Sequence, residues 1–201
     1  MASRRSRRLD DGSILCCVFI TDVTERQRIE IAWEGFATID FLTQIPNRRY
    51  FIARMEEELA RIHRVAHARA AVLMCDLDHL KNVNDCYGHA IGDLILHHFS
   101  VILRNAIRKI DTTSRVGGEE FAVVLADAGV TEALVFSRRV LQQISDTPVL
   151  VGDTVLHVTI SIGIAIMSAD NIGTDAALSR SDTALYQAKN AGRNRIEVNV
   201  P

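Results

Sequence analysis

The sequence predicts an α+β domain in which helices pack against a sheet, and three features carry that prediction. Short apolar runs of strand length are interspersed with stretches whose apolar residues recur at helical spacing. Glycine-marked hairpins separate some of the strands. One run, Ala70 to Asp76, is so continuously apolar that it implies a central strand covered on both faces. A chain of 201 residues, 48% hydrophobic and 24% charged, is long enough for one full domain with its own core and a short extension.

The extension covers residues 1–39. Met1 to Arg8 carries Arg4, Arg5, Arg7 and Arg8 with no apolar segment behind them, so it lacks the central part of a secretory signal. A disordered, solvated basic tail is the favoured reading, with an organelle-targeting or anion-binding arm as the alternatives. Asp10-Asp11-Gly12-Ser13 signals a turn before a buried strand, Ile14 to Ile20. Thr21 or Asp22 then caps a helix from Glu25 to about Asp40, on which Ile29, Trp33, Phe36 and Ile39 form one apolar face. That face either packs on the main domain or pairs with a second copy of itself.

The main domain spans residues 40–201. Pro46-Asn47 opens a helix to about His67, with Phe51, Met55, Leu59 and Ile62 on its inner face. After the strand from Ala70 comes a helix from about Gly92 to Ile110. Thr112 to Val116 and Glu119 to Leu125 form a hairpin whose Gly117-Gly118 can supply the positive φ angles of a tight turn. Thr131 to Ser145 is helical, Val149 to Leu156 is a hairpin around Gly152-Asp153, and Val158 to Ile166 is a core strand. A last helix, Thr174 to Ala191, is stopped by Gly192 before a final strand from Arg195 to Val198.

Bulk chemistry narrows the functions. No apolar run reaches the uninterrupted ~20 residues of a membrane span. Cys16, Cys17, Cys75 and Cys86 form no C-x-x-C pair, a usage that suits a reducing cytoplasm. The net charge of −2 gives no reason to expect a nucleic-acid duplex as partner, so an anionic ligand must be held locally. His63 and His67 lie one helical turn apart, but no nearby acid or thiol completes a metal site.

The chemistry-bearing residues lie at strand ends. Asp76-Leu77-Asp78 closes the central strand, and the alternation of a strand points both carboxylates the same way. The Gly-Gly turn brings Glu119 and Glu120 to the start of the adjoining strand, where a carboxylate beside Asp76 could complete a Mg²⁺ site. Each motif alone is also what a strand end meeting water and an ordinary hairpin look like.

Together they resemble the GGDEF family of diguanylate cyclases. The matching residues are Asp40 to Asn47, Asp76-Leu77-Asp78-His79-Leu80-Lys81, Asn84-Asp85, Gly88-His89, Gly92-Asp93, Gly117 to Phe121, Ser161-Ile162-Gly163, Ala184 to Lys189 and Gly192 to Arg195. The resemblance spans Asp40 to Val198 and implies a central, mostly antiparallel sheet surrounded by helices, similar to nucleotidyl cyclases and polymerase palms. It implies condensation of two GTP into cyclic di-GMP and two pyrophosphates across a dimer of two half-sites. It also implies Mg²⁺ or Mn²⁺, two per GTP, with Asp76, the Leu77 carbonyl, Glu119 and Glu120 as metal positions. Glu119 would help deprotonate the ribose hydroxyl. Asn84 and Asp93 would read guanine, with Leu80 and His89 beside them, and Lys81, Lys189 and Arg193 would hold phosphates. Arg108-Lys109-Ile110-Asp111 matches the family's product-inhibition site, with Arg139 as a further candidate partner for the product. The same Arg-x-x-Asp spacing also makes an ordinary ion pair on a helix surface.

Asp22-Val23-Thr24 and the preceding strand resemble the end of a PAS sensor domain and its linker helix, which makes an upstream sensor a possible partner; a plain helical extension is the alternative. Gln44 stands where the family has glycine, Ile45 where it has leucine and Leu80 where it has phenylalanine. A left-handed backbone at Gln44 would be strained, and Leu80 would loosen the packing around guanine. The rival functions are a non-catalytic GTP or cyclic di-GMP receptor and a sensor-linked dimerisation module.

Overall fold

Ala70 to Leu77 organise the domain, because every residue of this strand is buried and its two edges must both be paired. The computed structural model describes residues 2–8, 14–20, 38–152 and 154–199, in two units, Met1–Ala37 and Thr38–Pro201. In the first unit, β1 (Ala2–Arg8) pairs antiparallel with β2 (Ile14–Ile20), Ala2 opposite Ile20 and Arg8 opposite Ile14. The strand at Ile14–Ile20 is as expected, but the Arg-rich start is a strand rather than a solvated tail. An apolar strand leaves a row of backbone donors and acceptors open, and the basic segment supplies their partners. The expected linker helix and the Asp22-Val23-Thr24 motif lie outside the described residues, save for Thr38, Ile39 and Asp40. None of the three is helical, and Ile39 bridges to Pro46.

The second unit holds α1 (Arg48–Arg64), β3 (Ala70–Leu77), α2 (Leu80–Tyr87), α3 (His89–Ala106), β4 (Thr112–Arg115), β5 (Glu120–Ala126), α4 (Val130–Asp146), β6 (Val149–Val151), β7 (Thr154–Leu156), β8 (Ile160–Met167), α5 (Thr174–Asn190) and β9 (Ile196–Asn199). The sheet order is β4-β5-β3-β8-β9, antiparallel throughout except that β9 runs parallel to β8. The α+β fold with a mostly antiparallel central sheet is therefore as the sequence predicts. No helix among the described residues is long and apolar enough to cross a membrane.

Alternation along β3 feeds two cores. Ala71, Leu73, Cys75 and Leu77 meet α3 and α4, whose Phe99, Leu103, Phe136 and Val140 are buried there. Ala70, Val72 and Met74 meet α1 through Phe51, Met55, Leu59 and Ile62, the four residues expected on its inner face. The Asn47 side chain caps α1 by accepting from the Tyr50 N–H at 3.3 Å. On this second face α5 lies directly on β8. A Cβ at Gly163 would stand 2.2 Å from both the Leu185 nitrogen and the Ser181 carbonyl oxygen, so only glycine admits the helix.

Two helix boundaries differ from expectation, and both matter to the site. The segment between β3 and Gly92 contains a separate eight-residue helix, α2. Its Asn82, Asn84 and Asp85 favour turns, but Leu80 is 3% exposed and anchors it in the core. Leu80 is thus part of the packing rather than a gap in it. At the other end α3 stops at Ala106, four residues early, because the loop that follows is held by side-chain bonds to Asp111.

Gln44 has φ 58°, the left-handed conformation that its replacement of glycine foreshadowed. Its backbone N–H donates to the Asp40 carbonyl at 2.9 Å and its side chain to the Phe41 carbonyl at 2.6 Å, which hold it there. Gln44→Gly is expected to stabilise the domain by about 1 kcal/mol, seen as a rise of roughly 2–4 °C in a thermal unfolding midpoint.

Candidate active site

Register sets the site. Asp76 lies opposite Glu120 on β5 and opposite Ser161 on β8, so the Asp76 and Glu120 side chains share one face of the sheet at its open end. Glu119 precedes β5, and its carbonyl accepts from the Leu77 N–H at 3.2 Å, binding the hairpin to the end of β3. Leu77 is fully buried. From α5, Lys189 reaches across to Asp76 with Nζ 2.7 Å from Oδ2.

Asp76 is only 3% exposed, and that burial pushes its carboxyl up to about 6. The Lys189 ammonium opposes the rise and the negative charges of Glu119 and Glu120 add to it. A carboxylate so placed favours any cation brought to it, and Lys189 already meets it as one. Among the described residues no cluster of three or more His, Cys, Asp or Glu side chains is arranged to hold a metal by itself. The donor set of Asp76, Glu119, Glu120 and the Leu77 carbonyl is all oxygen, which suits Mg²⁺, a cation that keeps waters and shares substrate phosphates instead of requiring a full protein cage.

The hairpin does not use the glycines as expected. Neither Gly117 nor Gly118 has a positive φ. The turn is longer than two residues, with the N–H groups of Val116 and Gly117 both donating to the Glu120 carbonyl. Arg115 supplies the closure: Nε donates to the Gly117 carbonyl at 3.2 Å and Nη2 to the Gly118 carbonyl at 2.7 Å. A Cβ at Gly117 would come within 2.5 Å of Glu120 Oε2, so a side chain there would have to displace the end of the Glu120 carboxylate. Arg115 is in turn paired with Asp40, Nη1 to Oδ1 at 3.1 Å. Burial raises the Asp40 carboxyl, but bonds from the Thr43 hydroxyl and amide and from Arg115 outweigh it, leaving Asp40 below the ordinary carboxylate range. Sequence reading passed over Arg115; the available signal was an arginine two residues before a Gly-Gly pair.

Asp78 stands one pleat beyond Asp76, as expected: its N–H continues the pairing with the β8 segment at the Thr159 carbonyl, 2.9 Å away, and its carboxylate is taken up by the Thr159 hydroxyl, the hydroxyl of Ser161, which lies opposite Asp76, and the Asn194 N–H.

Asn84 and Asp93 are brought together by the packing of α2 on α3. A Cβ on Gly92 would lie 1.9 Å from Asn84 Oδ1, so Gly92 lets the two helices close and carries Asp93 next to Asn84. Asn84 Oδ1 is buried against Gly92 with no hydrogen-bond partner. Lys81 and His89 are exposed at the starts of α2 and α3. Arg193 is exposed in the turn after α5, with φ 62°. Beside Glu120 and Lys189 a cavity of about 260 Å³ also takes in Arg48, Asp182 and Tyr186, which the motif reading did not single out. Burial, reinforced by Glu120 and opposed by Arg48, raises the Asp182 carboxyl. His63, expected to lack metal partners, meets the Asn171 carbonyl at 3.0 Å.

Arg108 and Asp111 lie in the loop after α3, not on a helix surface. The guanidinium forks onto Asp111 with two bonds of 2.9 Å and reaches the Ala126 carbonyl at 2.8 Å. Arg139, from α4, stacks over Phe136 and donates to the Ala106 carbonyl. All three line one cavity of about 320 Å³.

Residues 37–195 match the model of the GGDEF domain of diguanylate cyclases. The chain belongs to the GGDEF family. It is 34% identical over 161 residues to diguanylate cyclase A of Treponema denticola, covering 79% of this chain and 43% of that protein. It is 36% identical over 162 residues to the response regulator PleD of Caulobacter vibrioides, covering 80% of this chain and 36% of that protein. The chain thus spans less than half the length of these relatives. The GGDEF domain of YfiN from Pseudomonas aeruginosa superposes with a TM-score of 0.74 at 31% identity, over 78% of this chain and 98% of that one. The GGDEF hairpin of the present chain is the Gly117–Phe121 turn clamped by Arg115.

The folded Asp76 carboxyl titrates above its ordinary value of 3.8, so its stabilising contribution is complete below about 3.8 and is lost as pH rises through about 6. Asp76→Asn, which cannot ionise, should therefore gain stability relative to the metal-free parent between about pH 4 and pH 7, by on the order of 2–3 kcal/mol. Urea unfolding of both proteins across that range checks it; a pH-independent difference contradicts the raised carboxyl.

Proposed function

We propose that this domain condenses two GTP molecules into cyclic di-GMP and two pyrophosphates, each of two face-to-face domains holding one GTP. The carrying observation is the convergence of Asp76, Glu119, Glu120 and Lys189 at the open end of the sheet in a member of this family. The relative named diguanylate cyclase A supports the reading.

Guanine recognition falls to Asn84 and Asp93. The Asn84 side-chain amide carries both a donor and an acceptor for a guanine edge, and the Asp93 carboxylate can accept from the ring N–H. Adenine presents the wrong pattern to both. Lys81 and Arg193 bind the triphosphate, and Lys189 exchanges Asp76 for phosphate as nucleotide enters. Asp76, the Leu77 carbonyl and Glu119 would hold Mg²⁺ or Mn²⁺, with Glu120 supporting a second such ion. Bound there, the cations supply neutralisation of the triphosphate and polarisation of the phosphoryl oxygens. Glu119 accepts the proton of the ribose hydroxyl. That oxygen forms a bond to the α-phosphorus of the opposing GTP, the α–β phosphoanhydride breaks, and pyrophosphate leaves with the bonding pair. A second, equivalent event closes the ring.

Incubation with GTP and Mg²⁺ should yield cyclic di-GMP by chromatography, with specific activity rising with protein concentration as half-sites meet. Glu119→Gln should lower the rate by at least roughly a hundredfold while retaining the fold. GTP binding without product in the parent protein would favour a nucleotide receptor instead.

The shared cavity of Arg108, Asp111 and Arg139 supports product feedback. Its arginines offer forks for guanine edges or phosphates, and Phe136 a neighbouring aromatic surface. Arg108→Ala should raise the cyclic di-GMP concentration needed for half-inhibition by about tenfold. Initial rates at increasing added product measure this; an unchanged value removes the cavity from regulation.

A further inference from the structure

Asp78 is a buried carboxylate that the proposed chemistry leaves unused. It lies just beyond β3, 4% exposed. Its Oδ1 accepts from the Ser161 hydroxyl at 2.8 Å, and its Oδ2 from the Thr159 hydroxyl at 2.8 Å and the Asn194 N–H at 3.0 Å. Its own N–H donates to the Thr159 carbonyl at 2.9 Å. One side chain thus joins the end of the strand bearing Asp76 and Leu77, the start of β8, and the turn after α5.

That turn has an unusual backbone. Gly192, Arg193 and Asn194 have φ of 112°, 62° and 46°, so two successive residues with side chains are left-handed. Each such residue costs about 1 kcal/mol or more unless its surroundings hold it. The Arg193 N–H is held by the Ala188 carbonyl at 3.0 Å, and the Asn194 N–H by Asp78. Of the two, only the Asn194 amide meets a charged acceptor, and that charge is supplied by the protein itself. Without that acceptor the Asn194 amide loses its buried charged partner, the turn can relax to ordinary φ, and the backbone from which Arg193 projects moves.

We infer that Asp78 is a positioning residue for triphosphate binding, acting through Arg193; this rests on the assignment of Arg193 to the phosphates made above. Carboxamide geometry sharpens the idea. An asparagine oxygen at the Oδ2 position keeps both Thr159 and Asn194 as donors, and the Ser161 hydroxyl can turn to accept from its amide. Alanine keeps neither bond.

Calorimetric titration with inorganic pyrophosphate and Mg²⁺ tests this without turnover. Asp78→Ala should bind about tenfold more weakly, and Asp78→Asn should stay within about threefold of the parent. The KM for GTP should rise by a similar factor while kcat changes far less. In an Arg193→Ala background, Asp78→Ala should add almost nothing, because both changes remove one interaction. In the unsubstituted protein, the Asn194 amide should be strongly protected from hydrogen exchange, which holds the inference to account even where Asp78→Ala fails to fold. Parent-like pyrophosphate binding by Asp78→Ala, fully additive losses, an Asp78→Asn as weak as alanine, or a freely exchanging Asn194 amide would each overturn it. A parent protein that binds pyrophosphate but forms no cyclic product would refute the proposed activity and leave the role of Asp78 to these measurements.

Discussion

The central strand β3 cannot shift. All eight of its residues are buried, its neighbours β5 and β8 both run antiparallel to it, and alternate side chains serve different cores. A slip of one residue would exchange the two faces, sending Met74 where Cys75 packs and turning Asp76 into the α3 side of the sheet. Hydrophobic burial therefore positions the acid: the apolar residues that hold the register also hold Asp76 opposite Glu120. Asp76 stands one residue before the end of this strand and is itself buried, a placement that would be costly were Lys189 not brought to it by α5.

Around that fixed point the site is assembled from reciprocal ties. Arg115 holds the carbonyls of the Gly117-Gly118 turn and answers to Asp40; Asp78 holds β8 and the α5–β9 turn; Gly163 and Gly92 admit α5 and α3 at distances that a side chain would prevent. These ties are polar or steric, and each spans elements far apart in sequence.

Periodicity made the elements legible because burial imposes it locally. The inner face of α1 and the double coverage of β3 could be read from apolar spacing, and the two hairpins from their glycine-marked turns. The helix α2 could not, since its turn-forming residues favour the opposite reading and only Leu80, seated in the core, overrides them. The end of α3 was misread because Ile107 and Ile110 continue an apolar pattern that the Asp111 side chain interrupts by capturing backbone amides. The Arg-rich start was misread because strand pairing is a long-range satisfaction of backbone groups that composition does not record.

By itself the sequence determined an α+β domain, because local apolar spacing is carried along the chain, and its motifs carried the resemblance to the GGDEF family that marks which acids, amides and arginines are candidates for its site. Only the tertiary structure decided what each does with its neighbours. It committed the Asp78 carboxylate to Thr159, Ser161 and Asn194, gave the closure of the hairpin to Arg115 instead of to glycine φ angles, and gathered Arg108, Asp111 and Arg139 around one cavity. The physical reason is common to all three. A polar side chain is committed by whichever donor or acceptor lies within about 3 Å, and that is settled by packing between residues the sequence holds far apart.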